Sequence, residues 1–169
     1  EERYAAFSGL NLCFETREGI VKHCSPEKAQ TLGDIGARFI NGTQASLEAQ
    51  ICNLADEIAY NNHDVDDGLR SGLILLEQLE DVPLFACNVA EVRGLYPGLG
   101  GSRLVHETIR RMINILVTDL IEATADNLAR MCPRDIVDVR AGKPLVGFSE
   151  GLHHSLKEMK FFLHRHLYR

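Results

Sequence analysis

The stretch Ser46–Asp67, SLEAQICNLADEIAYNNHDVDD, decides how this chain reads. Placing each residue about 100° from the last gathers Leu47, Ile51, Leu54, Ile58 and Val65 on one side, with Leu69 just beyond the stretch joining them. That is a core-facing stripe. Asn53, Asp56, Tyr60, His63, Asp64 and Asp67 gather on the other side. Asp56, Tyr60 and Asp64 stand at i, i+4 and i+8, so they stack along one line. A long helix from Ser46 to Asp66 or Asp67, stopped by Gly68, is the expectation.

Working outward, helical spacing of apolar residues recurs nearly everywhere, with no alternating strand run. Asn11 or Ser8 is positioned to cap a helix running to about His23. Ser25-Pro26-Glu27 opens a short helix, which Gly33, Gly36 and Gly42 then interrupt. Further helices are expected over residues 73–79, from Pro83 to about Leu95, from Ser102 to about Ala129, and after Ser149. Pro133 to Pro144 reads as a turn. The fold class is therefore all-α: one helical domain over residues 1–169, with about six helices. Glu1-Glu2-Arg3-Tyr4-Ala5-Ala6-Phe7 reads as the end of a helix that starts earlier, as in a part of a longer protein.

The chain has 169 residues, 45% of them hydrophobic, enough for a real core. Its longest apolar stretch, Met112 to Ile121, is broken by Asn114, Thr118 and Asp119, so no membrane span is expected. No apolar leader follows Glu1-Glu2-Arg3, and a cytoplasmic location is the default. Five scattered cysteines without a CxxC pair predict reduced thiols packed mostly as small apolar groups. A net charge of −6 makes a general nucleic-acid surface unexpected, although the tail sets Lys157, Lys160, Arg165 and Arg169 against Glu158 alone.

The acidic face of Ser46–Asp67 has a plain reading as a solvated surface. Such a face normally interleaves Lys or Arg at i+4, and Asn53–Asp67 contains neither. Tyr60 sits between two carboxylates on the polar side, and Asp64, Asp66 and Asp67 repel one another without a cation or donor. Asp64-x-Asp66-Asp67-Gly68 is not a calcium loop, because from Asn62 the glycine falls one residue late and position 12 is Leu73. A ligand site on this face is the sharper reading.

Several ordered motifs agree with a known family. Gly9-Leu10-Asn11-Leu12, Glu18-Gly19-Ile20-Val21-Lys22-His23, Leu54-Ala55-Asp56-Glu57-Ile58-Ala59-Tyr60 and His63-Asp64-x-Asp66-Asp67-Gly68 lead the set. Ile109-Arg110-Arg111-Met112-Ile113 and the tail from Leu156 to Arg169 complete it. Together they resemble the C-terminal portion of the bacterial deoxyguanosinetriphosphate triphosphohydrolase-like proteins, which are HD-domain enzymes. The resemblance implies an HD-like helical bundle lacking its N-terminal part. It also implies metal-dependent hydrolysis of a dGTP-like deoxynucleoside triphosphate to deoxynucleoside and triphosphate, a divalent metal such as Mn or Mg, and a homo-oligomer. The family's metal centre uses a His, a His-Asp doublet and a later Asp. Asp56 matches that later Asp, Tyr60 and Asp64 match positions meeting phosphate and sugar hydroxyl, and Lys22 is a candidate phosphate contact.

His63-Asp64 mimics the doublet, with His23 and Asp119 or Asp126 completing a His, His-Asp, Asp order. Adjacent helical residues diverge by about 100°, and Asp56 would be left without a role, so the pair reads as a decoy. One ligand of the set then remains, and the chain alone is expected to be inactive. A non-catalytic oligomerisation or interaction domain, or an HD phosphohydrolase acting on another nucleotide, are the competing readings. Arg103, His106 and Arg110 share a face and are secondary candidates for phosphate or base.

Overall fold

The computed structural model describes residues 4–6, 9–21 and 24–168. Among the described residues 73% are helical and no strand occurs, as an all-α fold requires. Nine α-helices appear among the described residues: α1 Phe14–Ile20, α2 Pro26–Ala29, α3 Ala37–Asn41, α4 Leu47–Ser71, α5 Leu76–Leu79, α6 Pro83–Leu95, α7 Gly101–Met131, α8 Ile136–Ala141 and α9 Glu150–His166. A 3₁₀ turn, Gln30–Ile35, lies between α2 and α3. Against the seven segments named above, the two additional helices are short: α2 and α3 divide one weak segment, and α8 sits inside the expected turn. Two compact units form, Glu1–Leu54 with Asn127–Val146, and Ala55–Asp126 with Gly147–Arg169.

Several boundaries depart from expectation for local reasons. Among Tyr4, Ala5 and Ala6, where a helix end was read, none is helical. α1 begins only at Phe14, after Cys13 as N-cap, because Asn11 adopts φ 51. α4 runs through Gly68 to Ser71. A Cβ on Gly68 would stand 2.6 Å from Ile74 Cδ1, so this glycine serves packing, and Gly72 (φ 74) follows the helix end instead. The signal missed for α8 is its cap: Asp135 accepts from the Val137 and Asp138 N–H groups at 2.9 and 3.0 Å. Pro83 opens α6 and Ser149 caps α9, as expected.

In the first unit, α2, the 3₁₀ turn and α3 pack together, over buried Ala29, Ile35, Ala45, Ala49, Val139, Leu145 and Val146. Small side chains dominate, and the centre holds a carboxylate. Glu18 is 0% exposed. Arg140 grips it bidentately, Nη1 to Oε1 at 2.7 Å and Nη2 to Oε2 at 3.0 Å. The Ser46 N–H adds a bond at 3.3 Å, and Arg38 Nε lies 3.7 Å away. Burial alone would raise the pKa of Glu18; these donors and charges outweigh it and hold the carboxyl below its usual 4.5. Ser46 meanwhile caps α4 through Oγ, which accepts from the Ala49 N–H.

In the second unit α6 packs on α9. Phe85, Val89 and Val92 from α6, the i+4 ladder Leu104, Met112, Leu116 and Leu120 from α7, and Leu156, Met159 and Leu163 from α9 are all buried. Thr108 completes the ladder, its hydroxyl donating to the Leu104 carbonyl at 2.8 Å. From α4 come Ile58 and Val65, together with Asn61 and Asn62, at 8% and 2% exposure. Ile51, assigned above to the core stripe, is 47% exposed, so the buried face of α4 is rotated toward the asparagines. Asn62 is tolerated there because its Nδ2 donates to the Ile58 carbonyl at 2.8 Å.

The cysteines also differ from expectation. All five are free, but Cys13, Cys52, Cys87 and Cys132 are exposed and not packed in the core. Among the described residues no helix is long and apolar enough to cross a membrane.

Candidate functional site

α4 carries the line of Asp56, Tyr60 and Asp64 as the spacing requires, over about 12 Å at roughly 1.5 Å per residue. Tyr60 is 63% exposed, an unusual display for a large aromatic side chain. Asp56 and Asp64 are half-buried. His63, adjacent to Asp64 in sequence, is exposed. Asp119, the other member of the decoy set, accepts from the Ser149 N–H at 2.8 Å and so supports the start of α9. That bond gives Asp119 a structural task.

The positive charges absent from the stretch itself arrive from the last turn of α4 and from other elements of the second unit. Lys160 of α9 reaches Glu57 at 3.0 Å. Arg70 lies 3.3 Å from Asp66, and His106 Nδ1 lies 3.7 Å from the other oxygen of Asp66. Tyr168, two residues beyond α9, donates its hydroxyl to Asp64 Oδ2. This bond, followed by burial and the Asp64 charge, pushes the Tyr168 phenol up to about 12. Neither Lys160 nor Tyr168 was read as a site residue. The available signal was the basic tail facing an acidic helix, but pairing across about a hundred residues cannot be assigned from spacing.

Of the secondary candidates, His106 joins the acidic face through Asp66. Arg110 is instead bound to Glu107 of its own helix at 2.6 and 3.1 Å. Arg103 is exposed. Lys22 and His23 lie outside the described residues. Among the described residues no three His, Cys, Asp or Glu side chains gather closely enough to hold a metal ion.

Fold and site together define an all-α protein with an accessible Asp-Tyr-Asp line on one long helix. No family model matches the chain. Curated relatives do, along its whole length. A deoxyguanosinetriphosphate triphosphohydrolase-like protein of Ralstonia pickettii (strain 12J) is 60% identical over 169 residues, all of this chain and 44% of the relative. One from Bordetella pertussis is 59% identical over 172 residues, again all of this chain and 44% of the relative. One from Nitrosomonas europaea is 54% identical, over all of this chain and 45% of the relative. The chain is thus a homologue of part of the deoxyguanosinetriphosphate triphosphohydrolase-like proteins, in agreement with the resemblance read from its motifs. It spans a little under half the length of the curated relatives it matches.

Proposed function

We propose that this chain is the C-terminal portion of an HD-domain hydrolase that cleaves deoxynucleoside triphosphates, dGTP among them, to deoxynucleoside and triphosphate. The observation that carries the proposal is the accessible Asp56, Tyr60 and Asp64 line, in a chain whose relatives bear triphosphohydrolase-like names. The Tyr60 hydroxyl donates to a phosphate oxygen. Asp64 accepts from the sugar hydroxyl, and Lys22 adds a positive charge for the phosphates. Asp56 is the ligand this chain contributes to a divalent ion such as Mn²⁺ or Mg²⁺. A single carboxylate holds such an ion poorly in competition with water.

Two measurements test this reading. Asp56→Ala in the full-length protein should abolish metal-dependent release of triphosphate, and retained activity would remove Asp56 from the metal centre. The isolated 169-residue chain should release no triphosphate with added Mn²⁺; robust turnover there would overturn the part-site reading.

A homo-oligomer working in the cytoplasm on free nucleotides, without a nucleic-acid partner, completes the proposal. The net charge of −6 agrees with the last point. A second reading, a non-catalytic oligomerisation domain, is favoured by one observation. Ile113, Val117 and Ile121 form an i, i+4, i+8 apolar line on α7 that is 38%, 41% and 63% exposed. Sedimentation tests self-association, and dGTP titration with Mn²⁺ shows whether nucleotide binding accompanies it.

A further inference from the structure

Tyr168 reaches the Asp-Tyr-Asp line from the far end of the chain. Its contact is not isolated. Lys160 meets Glu57 at 3.0 Å, and Tyr168 meets Asp64. The two tail residues are eight apart and the two α4 residues seven apart, both about two helical turns. Residues 160–168 therefore meet α4 at two points in the same chain order, at Glu57 beside Asp56 and at Asp64 itself. His164 supports the phenol, its ring edge-on at 6.3 Å between centroids.

A carboxylate offers two oxygens and about four acceptor directions. Tyr168 occupies Oδ2. Oδ1 takes no part in that bond and can accept from a second donor, and the bond restricts how freely the carboxylate turns. A carboxylate held this way loses less freedom when a ligand hydroxyl binds it.

We propose that Tyr168 is a positioning residue for Asp64: by donating to Oδ2 it orients Oδ1 to accept the sugar 3′-hydroxyl of a deoxynucleoside triphosphate. The proposal rests on the reading of Asp64 as the sugar acceptor. It makes Tyr168 a determinant of selectivity for substrates bearing that hydroxyl.

The test compares wild type, Tyr168→Phe and Asp64→Asn in the full-length protein, using dGTP and its 2′,3′-dideoxy counterpart. Tyr168 is 56% exposed, so Phe is accommodated without loss of packing. Tyr168→Phe should lower the preference for dGTP over the dideoxy nucleotide by about fivefold, through KM more than kcat, the scale of one weakened charged hydrogen bond. Asp64→Asn should lower it further. A purely structural role for Tyr168 would weaken both nucleotides alike. If Asp64→Asn removes the preference and Tyr168→Phe keeps it, the positioning role is overturned while the sugar-acceptor reading stands. If neither variant changes it, the sugar-acceptor reading itself fails, and the proposal with it. The contact has its own readout in the same full-length protein. The absorbance titration lost in Tyr168→Phe should belong to a phenol ionising near 12, and Asp64→Asn should return it toward 10. An ordinary value in wild type would overturn the contact.

Discussion

Glu18 in the first unit and Asp64 in the second are both carboxylates gripped by a side chain more than a hundred residues away in sequence. Their environments separate them. Glu18 has no exposed surface, and it is met by a bidentate Arg140, a backbone N–H and the Arg38 charge. Its polar partners all come from within the unit, so the group serves folding. Asp64 is half-buried on a helix that also displays Tyr60 to solvent. A phenol takes one oxygen, and Tyr60 one turn away stays exposed, which suits the ligand role proposed above. A buried carboxylate whose partners are all internal serves architecture; a half-buried one on a helix face that displays Tyr60 leaves room for the ligand role proposed above.

The strongest way to break this comparison is to remove Glu18. Glu18→Ala should cost about 3–5 kcal/mol, because Arg140 and Arg38 would be left as uncompensated, partly buried positive charges; urea unfolding measures it. Asp64→Asn, by contrast, should stay within about 0.5 kcal/mol in the same assay. If the two changes proved equal, the distinction between architecture and site would collapse. Glu18 also predicts a pH dependence. Its folded pKa lies below the usual 4.5, so its contribution is fully present above that value and is lost as pH falls through the folded value. Glu18→Gln should flatten that acid limb.

Next in size are two glycines. A Cβ on Gly36 would stand 1.8 Å from the Ala29 backbone oxygen, which has no side-chain freedom to retreat. Gly36→Ala should cost several kcal/mol, and no neighbouring side-chain change should rescue it. Gly68→Ala meets only the tip of Ile74, so a cost of about 1–3 kcal/mol is expected. Pairing it with Ile74→Val should recover part of that loss in thermal melts. Asp135→Ala, removing the α8 cap, should cost about 1 kcal/mol. The smallest effect belongs to Lys160→Met. Its half-exposed ion pair with Glu57 is worth about 0.2–1 kcal/mol and should fade with added salt.

Much of this was readable from residue order because it depends on neighbours within a turn or two. The all-α class, the start and end of α6, the Ser149 cap and the stacking of Asp56, Tyr60 and Asp64 all follow from periodicity and local caps. The misreadings share a cause. Gly68 looked like a helix stop but is a contact point for Ile74. Ile51 looked like core and is exposed, while Asn61 and Asn62 are buried in its stead. The segment around Asp135 looked like a turn between prolines and holds a capped helix. In each case a partner elsewhere in the fold, or a short cap in a weak segment, overrode the local preference.

By itself, then, the sequence determined the all-α class and the line of residues on α4, because a helix places i, i+4 and i+8 together whatever surrounds it. Only the tertiary structure decided that Glu18 is the buried centre of the first unit. It alone brought Lys160 and Tyr168 to the acidic helix. Those pairings close loops of about a hundred residues, and no local rule encodes which distant side chain will arrive.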